Sequence, residues 1–383
     1  NDKTISSGKI GKLDLIAGES QKLTFNLSGI IPDPGVEYFL MVRAKTNQNH
    51  PLISKGHVVA WEQFQLPISR ELTAAPLIDM PKITIPNTDE GIEVHGENFS
   101  VSFNSATGQI KQYIYNGIEL FIKPVEANFW RAPNDNDLGN GMPKRTGLWR
   151  NVSDSLKTEA IRSKIKNGFA RVVVKNSYSS INFNLVSVYK VYGNGIIKID
   201  NKYSMADTSL PEIPRIGIKM SLSGDFDEVT WFGRGPHESY IDRKTSAAVG
   251  LYHGSVWDQT YQYVRPQETG NKTDVRWMAV SNGKIGLMVK GSPTFDGSVH
   301  HYPYEDLDYI PKRKKHGKLN IQQKDQVDWL IDLKQMGVGG DNSWGARPHD
   351  KYTLSPGNYE YSFMLVPFEV GEDLTRLSKL TMK

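Results

Sequence analysis

Apolar and polar residues alternate with period two over most of this chain, and glycine, proline, asparagine and aspartate interrupt the alternation at short intervals. Such a pattern buries one face of an extended segment and leaves the other in water, so it demands sheets. Residues 21–29 (QKLTFNLSG), 36–46 (VEYFLMVRAKT), 57–66 and 91–104 (GIEVHGENFSVSFN) read as strands, as do 169–176, 284–291 and 359–368. Residues 181–205 read as two strands joined at Gly193-Asn194-Gly195, and the pairs Asn116-Gly117 and Asn282-Gly283 sit where hairpins reverse. Helical patterning is confined to residues 153–165 and, more briefly, 304–308. The predicted fold class is all-β.

A chain of 383 residues holds about two domains on a prior of about 150 residues each. Residues 69–88 (SRELTAAPLIDMPKITIPNT) lose the alternation and carry three prolines, as a linker does. The predicted division is therefore a small sandwich-like piece over 1–68, a linker over 69–88 and a large β domain over 89–383. The first piece offers four or five candidate strands, fewer than the about seven that close a sandwich. With no initiator methionine or apolar leader, it is expected to be truncated at its N-terminus.

Composition narrows the function classes. The chain has no cysteine, which excludes disulfide and thiolate chemistry. No apolar run approaches the about 20 residues that span a bilayer, so a soluble protein with no membrane partner is expected. Net charge is +4 and dispersed. The one dense basic run, KRKKH at 312–316, reads as a solvated loop, and no nucleic-acid partner is expected.

The segment 334–350 (KQMGVGGDNSWGARPHD) is a glycine-rich loop suited to phosphate binding, a tight turn, or the display of an aromatic side chain. Asn342 stands where a dinucleotide fingerprint needs its third glycine, and no helical pattern comes after it, which disfavours phosphate. The run NDND at 134–137 resembles a calcium loop, but its glycine comes one position early and Thr146 replaces the bidentate glutamate. Three further stretches, 127–145, 231–246 and 263–277, mix Arg, Asp, Glu and Asn with aromatic residues. Arg234, His237, Glu238, Asp242 and Arg243 form one candidate ion-pair network, and Arg265, Glu268, Asp274 and Arg276 another. Such clusters serve structure more often than sugar recognition, yet their planar groups and rings suit both. Glu238, Glu268, Glu305, Asp306 and Asp341 supply carboxylates, but none is marked as the poised acid or nucleophile of a glycosidase.

Four of these motifs carry a resemblance. ANFWRAPNDNDLGNG, FGRGPHESYIDRKTSAAVGLY, YVRPQETGNKTDVRW and LDLKQMGVGGDNSWG, in that order, resemble the C-terminal domain of the large bacterial β-galactosidases of the lactose-operon type, glycoside hydrolase family 2. GHVVAWEQFQLP resembles the end of the immunoglobulin-like domain before it, so the resemblance covers essentially the whole chain. It implies a partial immunoglobulin-like β-sandwich followed by a large antiparallel, galactose-mutarotase-like supersandwich. It also implies retaining hydrolysis of terminal β-D-galactosides, with both catalytic glutamates and the family's Mg and Na sites in an upstream barrel. No catalytic residue, metal ligand or cofactor is therefore assigned to this chain, and the chain alone is expected to be inactive.

What the resemblance does assign is Trp344, matching the tryptophan that forms a platform for the leaving-group sugar. Gly139, Asn140 and Gly141 begin a mobile loop over about 139–148, with Gly139 as the hinge. Gly339, Gly340, Asp341 and Asn342 are expected to support the Trp344 loop through backbone hydrogen bonds. The implied partners are a galactoside, its aglycone sugar, the upstream domains of the same polypeptide and other copies of it. The compartment, bacterial cytoplasm or periplasm, stays open. Two other readings remain: a stand-alone carbohydrate-binding module on the supersandwich face, and a mutarotase-like epimerase using His237 with Glu238 or Glu268.

Overall fold

The structure, a computed structural model, describes residues 3–11, 13–27, 29–72, 80–88, 91–308, 321–342 and 344–382, the side chains of 87 and 88 excepted. They fall into two compact units, residues 1–76 with 379–383 and residues 77–378. The basic run at 312–316 and part of the predicted linker, residues 73–79, lie outside the described residues.

In the first unit β1 (Phe39–Lys45) and β2 (Val58–Gln65) pair antiparallel, with Val42 opposite Glu62. The strand expected at 21–29 is absent over its described residues 21–27. Alternation provides a face but not a neighbour, and a strand exists only where another strand completes its ladder.

In the second unit a five-stranded antiparallel sheet comprises β3 (Asn87–Thr88), β4 (Gly91–His95), β5 (Phe99–Asn104), β6 (Ile110–Tyr115) and β7 (Ile118–Glu119). The segment 91–104, read as one strand, is thus a hairpin. It reverses at Gly96, where an added Cβ would lie 2.0 Å from the Phe99 ring. A second sheet, of twelve strands among the described residues, contains β8 (Lys123–Asn128), β9 (Leu156–Lys166), β10 (Phe169–Tyr178), β11 (Phe183–Tyr192) and β12 (Ile197–Met205). It continues with β13 (Arg215–Ser223), β14 (Glu228–Gly235), β15 (Ala248–Ser255), β16 (Lys272–Ser281), β17 (Ile285–His300), β18 (Gln326–Gln335) and β19 (Tyr359–Glu369). Its pairings are all antiparallel. The first half of β17 pairs with β19 and its second half with β18, so one long strand changes partner and turns a corner of the sheet.

The helix expected over 153–165 is a correction: residues 156–166 are β9, at the edge of the sheet against β10. Its Lys, Glu, Ala and Arg favour a helix weakly, but an available ladder overrides propensity, and charged residues suit an edge strand. The brief helical pattern at 304–308 does form, as one 3₁₀ turn over Tyr304–Leu307.

The Trp344 loop and the 139–148 segment are both rooted beside β13. β13 is flanked by β8 and β18, with Gly217 opposite both Asn128 and Asp332. Both neighbours run antiparallel to β13, so β8 and β18 are parallel and release the chain at the same sheet end. The segment after β8 is anchored by Phe129, whose ring meets those of Trp149, Tyr178, Phe183 and Tyr203 at centroid distances of 5.2–6.3 Å. The segment after β18 begins in the core, with Met336, Gly337 and Val338 buried.

Candidate functional site

Residues 336–342 leave the core on a hydrogen-bonded base. Asp242 accepts from the amides of Val338 (3.1 Å) and Gly339 (2.8 Å), which fixes the loop from one side. The glycines make room for the chain's own Asp242 side chain rather than for a phosphate. A Cβ on Gly337 or Gly339 would come within 2.7 or 3.2 Å of the Asp242 carboxylate, and one on Gly340 within 2.5 Å of the Ala346 carbonyl. Asn342 Oδ1 accepts from the Trp344 amide at 2.9 Å and the Ala346 amide at 3.4 Å, an Asx turn that shapes the tip. Asp341 departs from expectation: its carboxylate meets His349 Nε2 at 2.8 Å in an exposed side-chain pair. Beyond this scaffold the Trp344 side chain stands 92% exposed. Single exposed apolar residues are common on protein surfaces, and what distinguishes Trp344 is the hydrogen-bonded base and the Asx turn that present it.

The other sequence-nominated segment lies against this loop. Residues 135–139 form a short helix, α1 (Asp135–Gly139), begun by a capping box in which Asn134 and Asp137 exchange side-chain and backbone bonds. Its last residue, Gly139, faces the Trp344 loop: a Cβ on Gly345 would lie 3.3 Å from the Gly139 carbonyl. Asn140 closes the helix, its amide donating to Asn136 and Leu138, and its own oxygens accept from Arg145. The left-handed residue is Gly141, at φ +74° before α2 (Met142–Arg145), whereas Gly139 sits inside a helix. Of the two, the glycine held at positive φ in this conformation is Gly141.

The carboxylates of the calcium-like run go to arginines. Asp137, buried, accepts from Arg131, and Asp135 from Arg265 (Nε, 2.7 Å). Of the two predicted networks, the Glu238–Arg243 pair forms as expected, while other members find partners elsewhere. Arg234 pairs with Asp274 (2.5 Å), which Lys244 also reaches, and Glu268 pairs with the fully buried Arg215 at 3.3 Å. Arg215 also reaches Asp332 (2.9 Å). Burial opposes its charge, but Asp332, Tyr304 and Glu268 prevail and hold its pKa above the ordinary value. Glu238 accepts from Arg243, Tyr263, Thr269 and the Gly270 amide. Burial works against its ionisation, yet Tyr263, the Gly270 amide and Arg243 keep its pKa below the ordinary value.

These contacts decide what the carboxylates can do. Four donors saturate Glu238, Tyr240, Tyr304 and Arg215 enclose Glu268, and His237 is bonded to Ser246 at 3.0 Å. Of the residues nominated for epimerase chemistry, Glu238 and Glu268 are committed to internal partners, while His237 stands exposed beside Ser246. Glu305 and Asp306 likewise pair with Lys219 and Lys324.

Sequence reasoning missed Arg131, Arg215, Tyr304 and Asp332. Arg131 stood inside a quoted motif, and its partner was detectable, because Asn134 with an acid three residues on is capping-box spacing. Arg215 and Asp332 gave no local signal, since their contact joins positions far apart in the chain.

Comparison with known proteins bears on the whole chain. Residues 95–365, more than half of it, match the family model described as beta galactosidase small chain, and residues 1–67 match beta-galactosidase, domain 4. A beta-galactosidase of Priestia megaterium (strain DSM 319 / IMG 1521) is 35% identical over 333 residues, covering 86% of this chain and 32% of the relative. A beta-galactosidase of Halalkalibacterium halodurans is 30% identical over 336 residues, covering 83% and 31%. This chain thus spans about a third of the length of these curated relatives. The solved structure of a galactose mutarotase-like protein from Clostridium acetobutylicum aligns with 76% of this chain and 100% of its own, at TM-score 0.45 and 9% identity. On the family match over residues 95–365, the chain belongs to the beta galactosidase small chain family.

Proposed function

We propose that this chain works as the small-chain part of a β-galactosidase, an enzyme that hydrolyses terminal β-D-galactosides with retention, and that it builds the wall for the sugar in the leaving-group position. The observation that carries this reading is the 92% exposure of Trp344 at the tip of a loop whose base is buried and fully tethered. An indole on a rigid base offers a flat apolar face to the C–H side of a pyranose at little entropic cost. Residues 139–148, rooted beside it, are the segment that would close over the occupied site, with φ freedom at Gly141. In this reading the acid/base and nucleophilic glutamates belong to the barrel of the assembled enzyme, and this chain supplies none. Its partners are the galactoside, the aglycone sugar and the barrel-bearing segment, with further copies of the enzyme in an oligomer.

Reconstitution tests it. The chain produced alone is expected to hydrolyse no galactoside, and production together with the barrel-bearing segment is expected to give activity that neither part has. Hydrolysis by the chain alone, or full activity of the other segment without it, would contradict the proposal.

A further inference from the structure

Residues 336–339 are held from two sides, and one side chain dominates the second. The Arg131 guanidinium, 0% exposed, donates through one terminal nitrogen to both oxygens of Asp137, at 2.7 and 2.8 Å. Through the other it donates to the Met336 carbonyl at 2.5 Å and the Gly337 carbonyl at 3.1 Å. Val338 extends the pattern, because its carbonyl accepts from Asn134 Nδ2 (2.9 Å) and Asn136 Nδ2 (3.3 Å). Three successive carbonyls of the Trp344 loop therefore go to the Arg131–Asp137 segment, and two successive amides go to Asp242. Past Gly339 the loop becomes exposed, and it returns to the segment where Gly345 meets the Gly139 carbonyl.

We infer that Arg131 is a positioning residue that holds Trp344 and the root of residues 139–148 in one frame, and thereby sets the enzyme's affinity for the second sugar. This rests on the reading that Trp344 meets that sugar. The chemistry requires arginine. A planar fork can bind a carboxylate with one arm and two carbonyls with the other, whereas a lysine ammonium is a point charge that serves one side at a time. The indole is several residues beyond the last buried anchor, so a small rotation at residues 336–338 becomes a large displacement of the ring. An ångström-scale misplacement of a binding group is enough to weaken a contact strongly.

The test is a double-mutant cycle in the assembled β-galactosidase. Arg131→Lys is expected to weaken glucose, as acceptor in galactosyl transfer, by about tenfold, within the coupling range of residues that act through one another. Inhibition by galactose, which reports the other subsite, is expected to be unchanged. In a Trp344→Ala background the same Arg131→Lys change should have no further effect on glucose, a non-additivity that general loosening of the fold would not produce. Asn136→Ala removes one bond to Val338 without disturbing a buried charge, and should weaken glucose in the same direction, by about threefold. It decides the matter should Arg131→Lys fail to fold. If Trp344→Ala weakens glucose while Arg131→Lys, or failing that Asn136→Ala, leaves it unchanged, the inference about Arg131 is overturned and the platform reading survives. If Trp344→Ala changes nothing, the platform reading falls instead.

Discussion

Lys272 lies buried with its ammonium over the Trp231 ring, 5.2 Å from the centroid. Burial lowers its pKa to about 8, against the opposing pull of Glu238. The unfolded chain keeps a lysine near about 10.4, so between roughly pH 8 and 10 the unfolded state holds a proton that the folded state lacks. Stability contributed at this position therefore rises with pH across that window, and is lowest below it, where a charge must be buried. Lys272→Met is predicted to stabilise the protein near pH 7 and to remove that part of the rise, read from urea midpoints of variant and parent at pH 7 and 10. An identical difference between the two proteins at both pH values would contradict the assignment. Residues of this kind are only half legible in a sequence. Trp344 is readable as an outward-facing ring because glycines and an Asx-type asparagine surround it. Lys272 looks like any strand lysine until β14 brings Trp231 beneath it. Glu238 and Arg243 are close in sequence and their pairing could be named, while Arg215 and Asp332 meet across β13 and β18.

At the scale of elements, register was the readable quantity wherever turn chemistry set it. Residues 181–205 form β11 and β12 around the predicted glycine turn, and Asn116 and Gly117, at φ 49° and 76°, reverse β6 into β7. Where the reading failed, something beyond the segment's own pattern decided the element: β9 is a strand because β10 completes its ladder, and α1 a helix because a capping asparagine begins it inside what looked like a cation loop. The β13–β18 pair shows how strictly such non-local fits bind. Gly217 faces Asp332, and an added Cβ would lie 2.1 Å from Asp332 Oδ1 and 2.6 Å from the Ile331 carbonyl. Gly217→Ala must therefore shift backbone or unseat a carboxylate that pairs with Arg215. The predicted cost is about 1–3 kcal/mol, the usual range for overpacking a filled interior. Chemical denaturation of the variant measures it, and a loss below about 0.5 kcal/mol, within ordinary surface variation, would contradict the packing argument.

The molecule as a whole unites two kinds of information. Its matches to the small-chain and domain 4 models run along nearly the whole chain, while under the proposed function the reacting groups belong to a segment outside it. Among the described residues, no helix is long and apolar enough to cross a membrane. The second unit invests its buried charges in holding shape: Arg131 with Asp137, and Arg215 with Glu268 and Asp332. At the common end of β8 and β18 it leaves the Trp344 indole in water. The most direct test is the partition of the galactosyl group between glucose and water in the assembled enzyme carrying Trp344→Ala, measured as glucose is raised. The prediction is that glucose must be raised about tenfold or more to reach the same transfer, with hydrolysis to water retained and Trp344→Phe intermediate. Equal glucose dependence in parent and Trp344→Ala enzymes would contradict the account.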